Sequence, residues 1–90
     1  MKALVAETRF RRDLKRLAKR GLDRTPLDAV IDLLRKGEPL PVARRDHPLK
    51  GDWQGWRDCH IAPDWILIYK LTETEVLLAR TGTHADLFGT

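Results

Sequence analysis

Trp65-Ile66-Leu67-Ile68-Tyr69-Lys70-Leu71 is an apolar run rich in β-branched and aromatic side chains, without the three-to-four spacing of an amphipathic helix. It reads as a β-strand. Ala62-Pro63-Asp64 before it and Thr72-Glu73-Thr74 after it carry turn chemistry. Beyond those turns lie two more strand candidates, Trp56 to Ile61 and Glu75 to Thr81, with Gly82 expected to break the latter. Three consecutive strands joined by tight turns predict an antiparallel meander, followed by a short tail to Thr90.

The first half has a different rhythm. Lys2 to Ala6 is a short apolar run of strand type. From Thr8 to about Arg20, Phe10, Leu14 and Leu17 fall at helical spacing, and Gly21 ends the segment. Arg12, Lys15, Arg16 and Lys19 lie on the opposite side of that helical wheel. A second helix is predicted from Thr25 as N-cap and Pro26 as first helical residue. Its stripe is Leu27, Val30, Ile31 and Leu34; Gly37 closes it, and Pro39 and Pro41 keep it from resuming. The expected order is β-α-α-β-β-β: an α+β fold with a two-helix hairpin on one side of a small, mainly antiparallel sheet.

Ninety residues fit one domain, 1–90, and offer no room for a deep substrate cavity. A shallow groove suits an extended polymer or a protein partner. The net charge is +4, and nine of the first 24 residues are basic against three acidic, which favours a polyanionic partner. The single cysteine, Cys59, excludes an intrachain disulfide and a cysteine-rich zinc site. Charges appear early and no apolar run follows, so neither a signal peptide nor a membrane span is expected, and a cytoplasmic protein is the default.

All three histidines, His47, His60 and His84, fall in the second half, each at the edge of an expected element. None of their spacings matches HExxH or a finger-type metal pattern, so neither a metal nor another cofactor is expected. RNA cleavage by acid–base chemistry needs a base for the ribose 2′-hydroxyl, an acid for the departing 5′-oxygen, and a cation for the phosphate. Imidazoles and guanidinium groups supply all three. Asp64, in the turn between two strands, suits an Asx-turn as well as a catalytic site. Trp65 suits the core as well as a stacking platform. Phe88, close to the C-terminus, is either pinned to the core or exposed to stack on a base.

Asp46-His47-Pro48-Leu49-Lys50-Gly51, Trp56-Arg57-Asp58-Cys59-His60, Pro63-Asp64-Trp65 and Arg80-Thr81-Gly82-Thr83-His84-Ala85-Asp86-Leu87-Phe88-Gly89 together resemble the motifs of YafQ-type toxins of the RelE/ParE superfamily. The resemblance covers nearly half the chain and nearly all its candidate chemistry. It implies a RelE-like fold and an mRNA interferase, an endoribonuclease acting on mRNA in the ribosomal A site without metal. It also implies contacts with the 70S ribosome and its rRNA, and a cognate DinJ-like antitoxin. Carried over residue by residue, it points to His47, His60, Asp64, His84 and Phe88 as catalytic residues and to Trp65 as part of the same motif. His60 and His84 are then the acid–base pair, in either direction, while His47 and Asp64 position the 2′-hydroxyl or tune a neighbouring ring. Arg57 and Arg80, expected on neighbouring strands, would hold phosphates together with Arg12, Lys15, Arg16 and Lys19. Three other readings are weighed here: a ParE-like toxin that inhibits gyrase, an RNA- or ribosome-binding module whose histidines are incidental, and an inactive toxin relic kept for binding its antitoxin or DNA.

Overall fold

The computed structural model describes residues 1–89. The elements run β1 (Ala3–Ala6), α1 (Thr8–Lys19), α2 (Thr25–Lys36), β2 (His47–Pro48), β3 (Arg57–Ala62), β4 (Trp65–Leu71), β5 (Glu75–Gly82) and α3 (His84–Phe88), with 3-10 turns at Val42–Arg44 and Gly51–Trp53. The five strands are ordered β1-β5-β4-β3-β2. β1 runs parallel to β5, and the other pairs are antiparallel. The expected α+β architecture holds, with two additions. β2 is a fifth strand, too short to announce itself in sequence, and the tail contains α3.

β4 lies in the middle of the sheet, and both its faces are covered. Trp65, Leu67 and Tyr69 pack with Phe10 and Leu17 of α1 and with Leu27, Val30, Ile31 and Leu34 of α2. Ile66 and Ile68 point the other way and meet Ala79, Leu49, Trp53, Trp56 and Leu87. The two-residue alternation of a strand therefore feeds two cores at once. Each fully buried Leu or Ile contributes about 1.5–3 kcal/mol relative to exposure. Cys59 belongs to the helix-side core, and burial pushes its thiol up to about 12, so it behaves as an apolar packing group.

Three local expectations need correction. Thr25 is not the N-cap of α2 but its first residue. Asp23 does the capping chemistry instead: its Oδ1 accepts from the Thr25 N–H at 3.0 Å and from the Thr25 hydroxyl at 2.8 Å. Gly82 does not break β5 but is its last residue, paired with Ile66. Its lack of a side chain serves a close approach, since a Cβ there would lie 3.0 Å from the Asp86 side chain. Arg57 and Arg80 are not on adjacent strands, because β4 separates β3 from β5. Gly37 does end α2 as expected, with φ at 72° and the N–H of Glu38 reaching back to the Leu33 carbonyl.

Candidate active site

β3 projects alternate side chains to one face, so Asp58 and His60 lie side by side away from the helices. β2 pairs with β3 in a register that sets His47 opposite Asp58. At the other end of the strand the Pro63-Asp64 turn brings Asp64 beneath the start of α3, whose first residue is His84. The His60 and His84 rings have centroids 5.5 Å apart. Asp58 is acted on by the charges of His47, His60 and His84 together. The three histidines thus share one cleft, built by β2, β3 and α3.

Two of the rings have their orientation fixed by acceptors. His84 Nδ1 lies 2.6 Å from Asp64 Oδ1, and the His84 backbone N–H donates to the same oxygen at 3.0 Å. These two bonds, the backbone one first, hold the Asp64 carboxyl below its usual range. Asp64 is therefore ionised near neutral pH, so the Nδ1 of His84 carries the proton and its Nε2 is free for chemistry. His47 Nδ1 lies 2.8 Å from the Arg45 carbonyl oxygen and 3.1 Å from Asp58 Oδ1. The Arg45 carbonyl accepts a hydrogen bond and the Asp58 carboxylate lies close by, so this nitrogen also carries its proton and leaves Nε2 as the working atom. Arg45 adopts the positive-φ conformation that non-glycine residues rarely take, at φ 50°, and this turn aims its carbonyl at the ring.

α3 is anchored firmly for so short a helix. The Thr83 hydroxyl accepts from the Asp86 N–H at 3.0 Å, and the Asp86 carboxylate accepts from the Thr83 N–H at 3.0 Å, a reciprocal capping box. The Arg20 guanidinium grips the same carboxylate with bonds of 2.8 and 3.1 Å and holds it far below the ordinary range. Phe88 closes α3 and is 39% exposed. Beside His60 a groove of about 460 Å³ opens, bordered by Arg44, Arg45 and Pro63.

The cationic candidates divide. Arg12, Lys15 and Lys19 are exposed along α1. Arg16 is not a free cation on that face: it pairs with Asp13 at 2.9 Å and approaches Asp86 at 3.9 Å. Arg80 binds Asp13 through two nitrogens, at 2.7 and 3.1 Å, and is largely covered. Arg57 is 3.1 Å from Asp46, which also accepts from the Tyr69 hydroxyl at 2.5 Å; this network pins the residue before His47. Trp65 is corrected outright as a stacking platform. It is 6% exposed within the helix-side core, and its Nε1–H donates to the Thr81 hydroxyl at 2.9 Å.

Two acidic residues of consequence escaped the sequence reading. Asp13 lies between Phe10 and Leu17 on the buried side of α1, and a carboxylate in an apolar stripe was the signal available. Asp58 stands two residues before His60, and strand alternation alone places both on one face.

A mixed α+β fold that gathers three imidazoles and two carboxylates in one cleft defines a small protein with titratable side chains clustered at its surface. Residues 2–89 match the family described as bacterial toxin of type II toxin–antitoxin system, YafQ. The chain belongs to this family. It is 49% identical over 81 residues to the mRNA interferase toxin YafQ of Escherichia coli strain K12, covering 89% of this chain and 88% of that one. The crystal structure of YafQ from E. coli BL21(DE3) superposes with a TM-score of 0.93 at 43% identity, covering 99% and 100% of the two chains. The toxin of an E. coli DinJ–YafQ complex superposes with a TM-score of 0.90 at 44% identity, over 99% and 100%.

Proposed function

We propose that this toxin is an endoribonuclease that cuts mRNA by general acid–base chemistry at the cleft between β2, β3 and α3. The observation that carries the reading is the meeting of His47, His60 and His84 with Asp64 in one exposed site. Its relatives in E. coli, named mRNA interferase toxins, support it.

In this reading His60 takes the proton from the ribose 2′-hydroxyl, with His47 Nε2 beside it to position that hydroxyl. The 2′-oxygen attacks phosphorus as the bond to the 5′-oxygen breaks. His84 delivers its Nε2 proton to the leaving 5′-oxygen, leaving a 2′,3′-cyclic phosphate and a 5′-hydroxyl. His84 is the acid because Asp64 holds its Nδ1–H and leaves Nε2 as the atom for proton transfer. Each proton transfer contributes about two to four powers of ten in rate. Phe88 stacks on or presses against the base at the cut. Arg12, Lys15 and Lys19 hold phosphates of rRNA or mRNA, with the mRNA presented in the A site of the 70S ribosome. A cognate antitoxin, DinJ-like as in the complex of the E. coli relative, silences the toxin by covering its basic surface.

Induced expression followed by primer extension on cellular mRNA tests this. Wild-type chain is expected to arrest growth and leave cuts at codon boundaries. His84→Ala, at equal expression and with an unchanged circular dichroism spectrum, is expected to do neither. DNA-damage signalling without RNA cuts, or full toxicity of the His84 variant, would sink the reading.

A further inference from the structure

Asp58 is a carboxylate of the cleft that the proposed mechanism leaves idle. It is 4% exposed, the most deeply buried residue of the site. Among the described residues its carboxylate accepts no hydrogen bond of good geometry, and Oδ1 is sealed from solvent with no partner. Burial pushes its carboxyl up, while the charges of His47, then His60, then His84 pull it back, and Asp46 adds to the rise. A buried, unbonded carboxylate costs stability. A structural role would require bonds in exchange, and Asp58 has none. What it does have is His47 Nδ1 at 3.1 Å from Oδ1 and His60 two residues along the same strand face. His84 already owns a separate carboxylate, Asp64.

We propose that Asp58 is a positioning residue for the cleavage, the countercharge for the base side of the cleft acting through His47 and His60. The inference rests on the nuclease reading above. With His47, the negative charge 3.1 Å from Nδ1 favours the ring proton on that nitrogen, which the Arg45 carbonyl bonds, and so leaves Nε2 for substrate. With both rings it supplies the negative charge needed when a proton arrives from the 2′-hydroxyl. The cleft then has a division of labour, with Asp64 serving the acid and Asp58 serving the base. The titratable groups that face Asp58 are His47 on β2, His60 on β3, His84 on α3 and Asp46 just ahead of β2.

Asp58→Asn keeps the shape and removes the charge. On programmed ribosomes under single-turnover conditions, the variant is expected to lose about ten- to a hundredfold in maximal rate with little change in half-saturation. The acidic limb of its pH–rate profile is expected to move to lower pH, because a base without its countercharge is weaker. Its melting temperature should be unchanged or higher, since an unbonded buried charge has gone. A wild-type rate and profile would overturn the proposal, and so would a rate loss that merely tracks a lower melting temperature. Carbon-13 carboxyl NMR of the wild-type protein is the second measurement and needs no variant. The Asp58 resonance should show an inflection where the imidazoles titrate, and a single unperturbed carboxyl step would refute the coupling. If wild-type chain cuts no RNA at all, the nuclease reading fails, and the NMR titration still decides whether Asp58 is the countercharge of the cluster.

Discussion

Asp13 and Asp58 are both buried carboxylates, 2% and 4% exposed, and they are held in opposite ways. Asp13 accepts from Arg80 Nε and Nη2, from Arg16 Nη2 and from the Thr81 backbone N–H, at 2.7 to 3.1 Å. It closes β5 where β1, which reaches only Ala6 opposite Leu78, no longer pairs with it. Asp58 accepts no such bond and faces imidazoles. A buried charge with every lone pair used fixes a fold; one left without bonds beside titratable rings is available for chemistry. The two also sit at the two ends of the site's construction, since Asp13 holds the strand that leads through Thr83 into His84.

The largest effect expected from breaking this contrast is on Asp13. Asp13→Ala would strand two guanidinium groups and a backbone N–H, a loss of about 3–5 kcal/mol in unfolding free energy measured by urea titration. A loss below about 1 kcal/mol would mean the node is not the clasp described. Next comes Trp65→Phe, which keeps most of the apolar area but leaves the buried Thr81 hydroxyl without its indole donor. About 1–3 kcal/mol should be lost in the same titration, with the cleavage rate per folded molecule preserved. A selective loss of RNA affinity would instead revive Trp65 as a stacking platform.

The pH dependence sharpens the contrast further. Asp86 is held far below its unfolded value, so its contribution is complete above about pH 4 and is lost as the pH falls toward the folded value. Asp58 is shifted up, so its sign is reversed. It costs nothing in acid, and the cost appears as the pH rises through the unfolded and then the folded value. The Asp58→Asn variant should therefore gain stability over wild type at neutral pH and lose that gain in acid, as denaturant titrations at several pH values would reveal. A gain that is equal at every pH would point to packing rather than charge. The smallest stability effect belongs to the exposed cations. Arg12→Ala, Lys15→Ala and Lys19→Ala together should change unfolding free energy by no more than about 0.5 kcal/mol. The same triple variant should weaken binding to ribosomes and flatten its salt dependence; an unchanged salt slope would remove α1 from the RNA-facing surface.

Legibility in the sequence followed the range of each interaction. The β4 run, its two turns and the apolar stripe of α2 are local patterns, and each element formed at or within a residue or two of its expected bounds. The Arg16, Arg57 and Arg80 side chains were legible as cations but not as partners, because Asp13 is 67 positions from Arg80 and Asp46 is 11 from Arg57. Trp65 was ambiguous for a related reason. Alternation assigns a side chain to one of two faces, and nothing local says that both faces of the central strand are covered. The short strand at His47–Pro48 exists only because β3 lies beside it to pair with.

By itself the chain's order of residues determined the two long helices, the four longer strands, the helix-side core and which residue types were available for proton transfer, since these depend on periodicity, turn chemistry and side-chain pKa. Only the folded arrangement decided that β1 would insert in parallel beside β5, which carboxylate would be satisfied and which left bare, and that three imidazoles would open onto one cleft. Those outcomes depend on contacts between distant segments, where burial and geometry outweigh local preference.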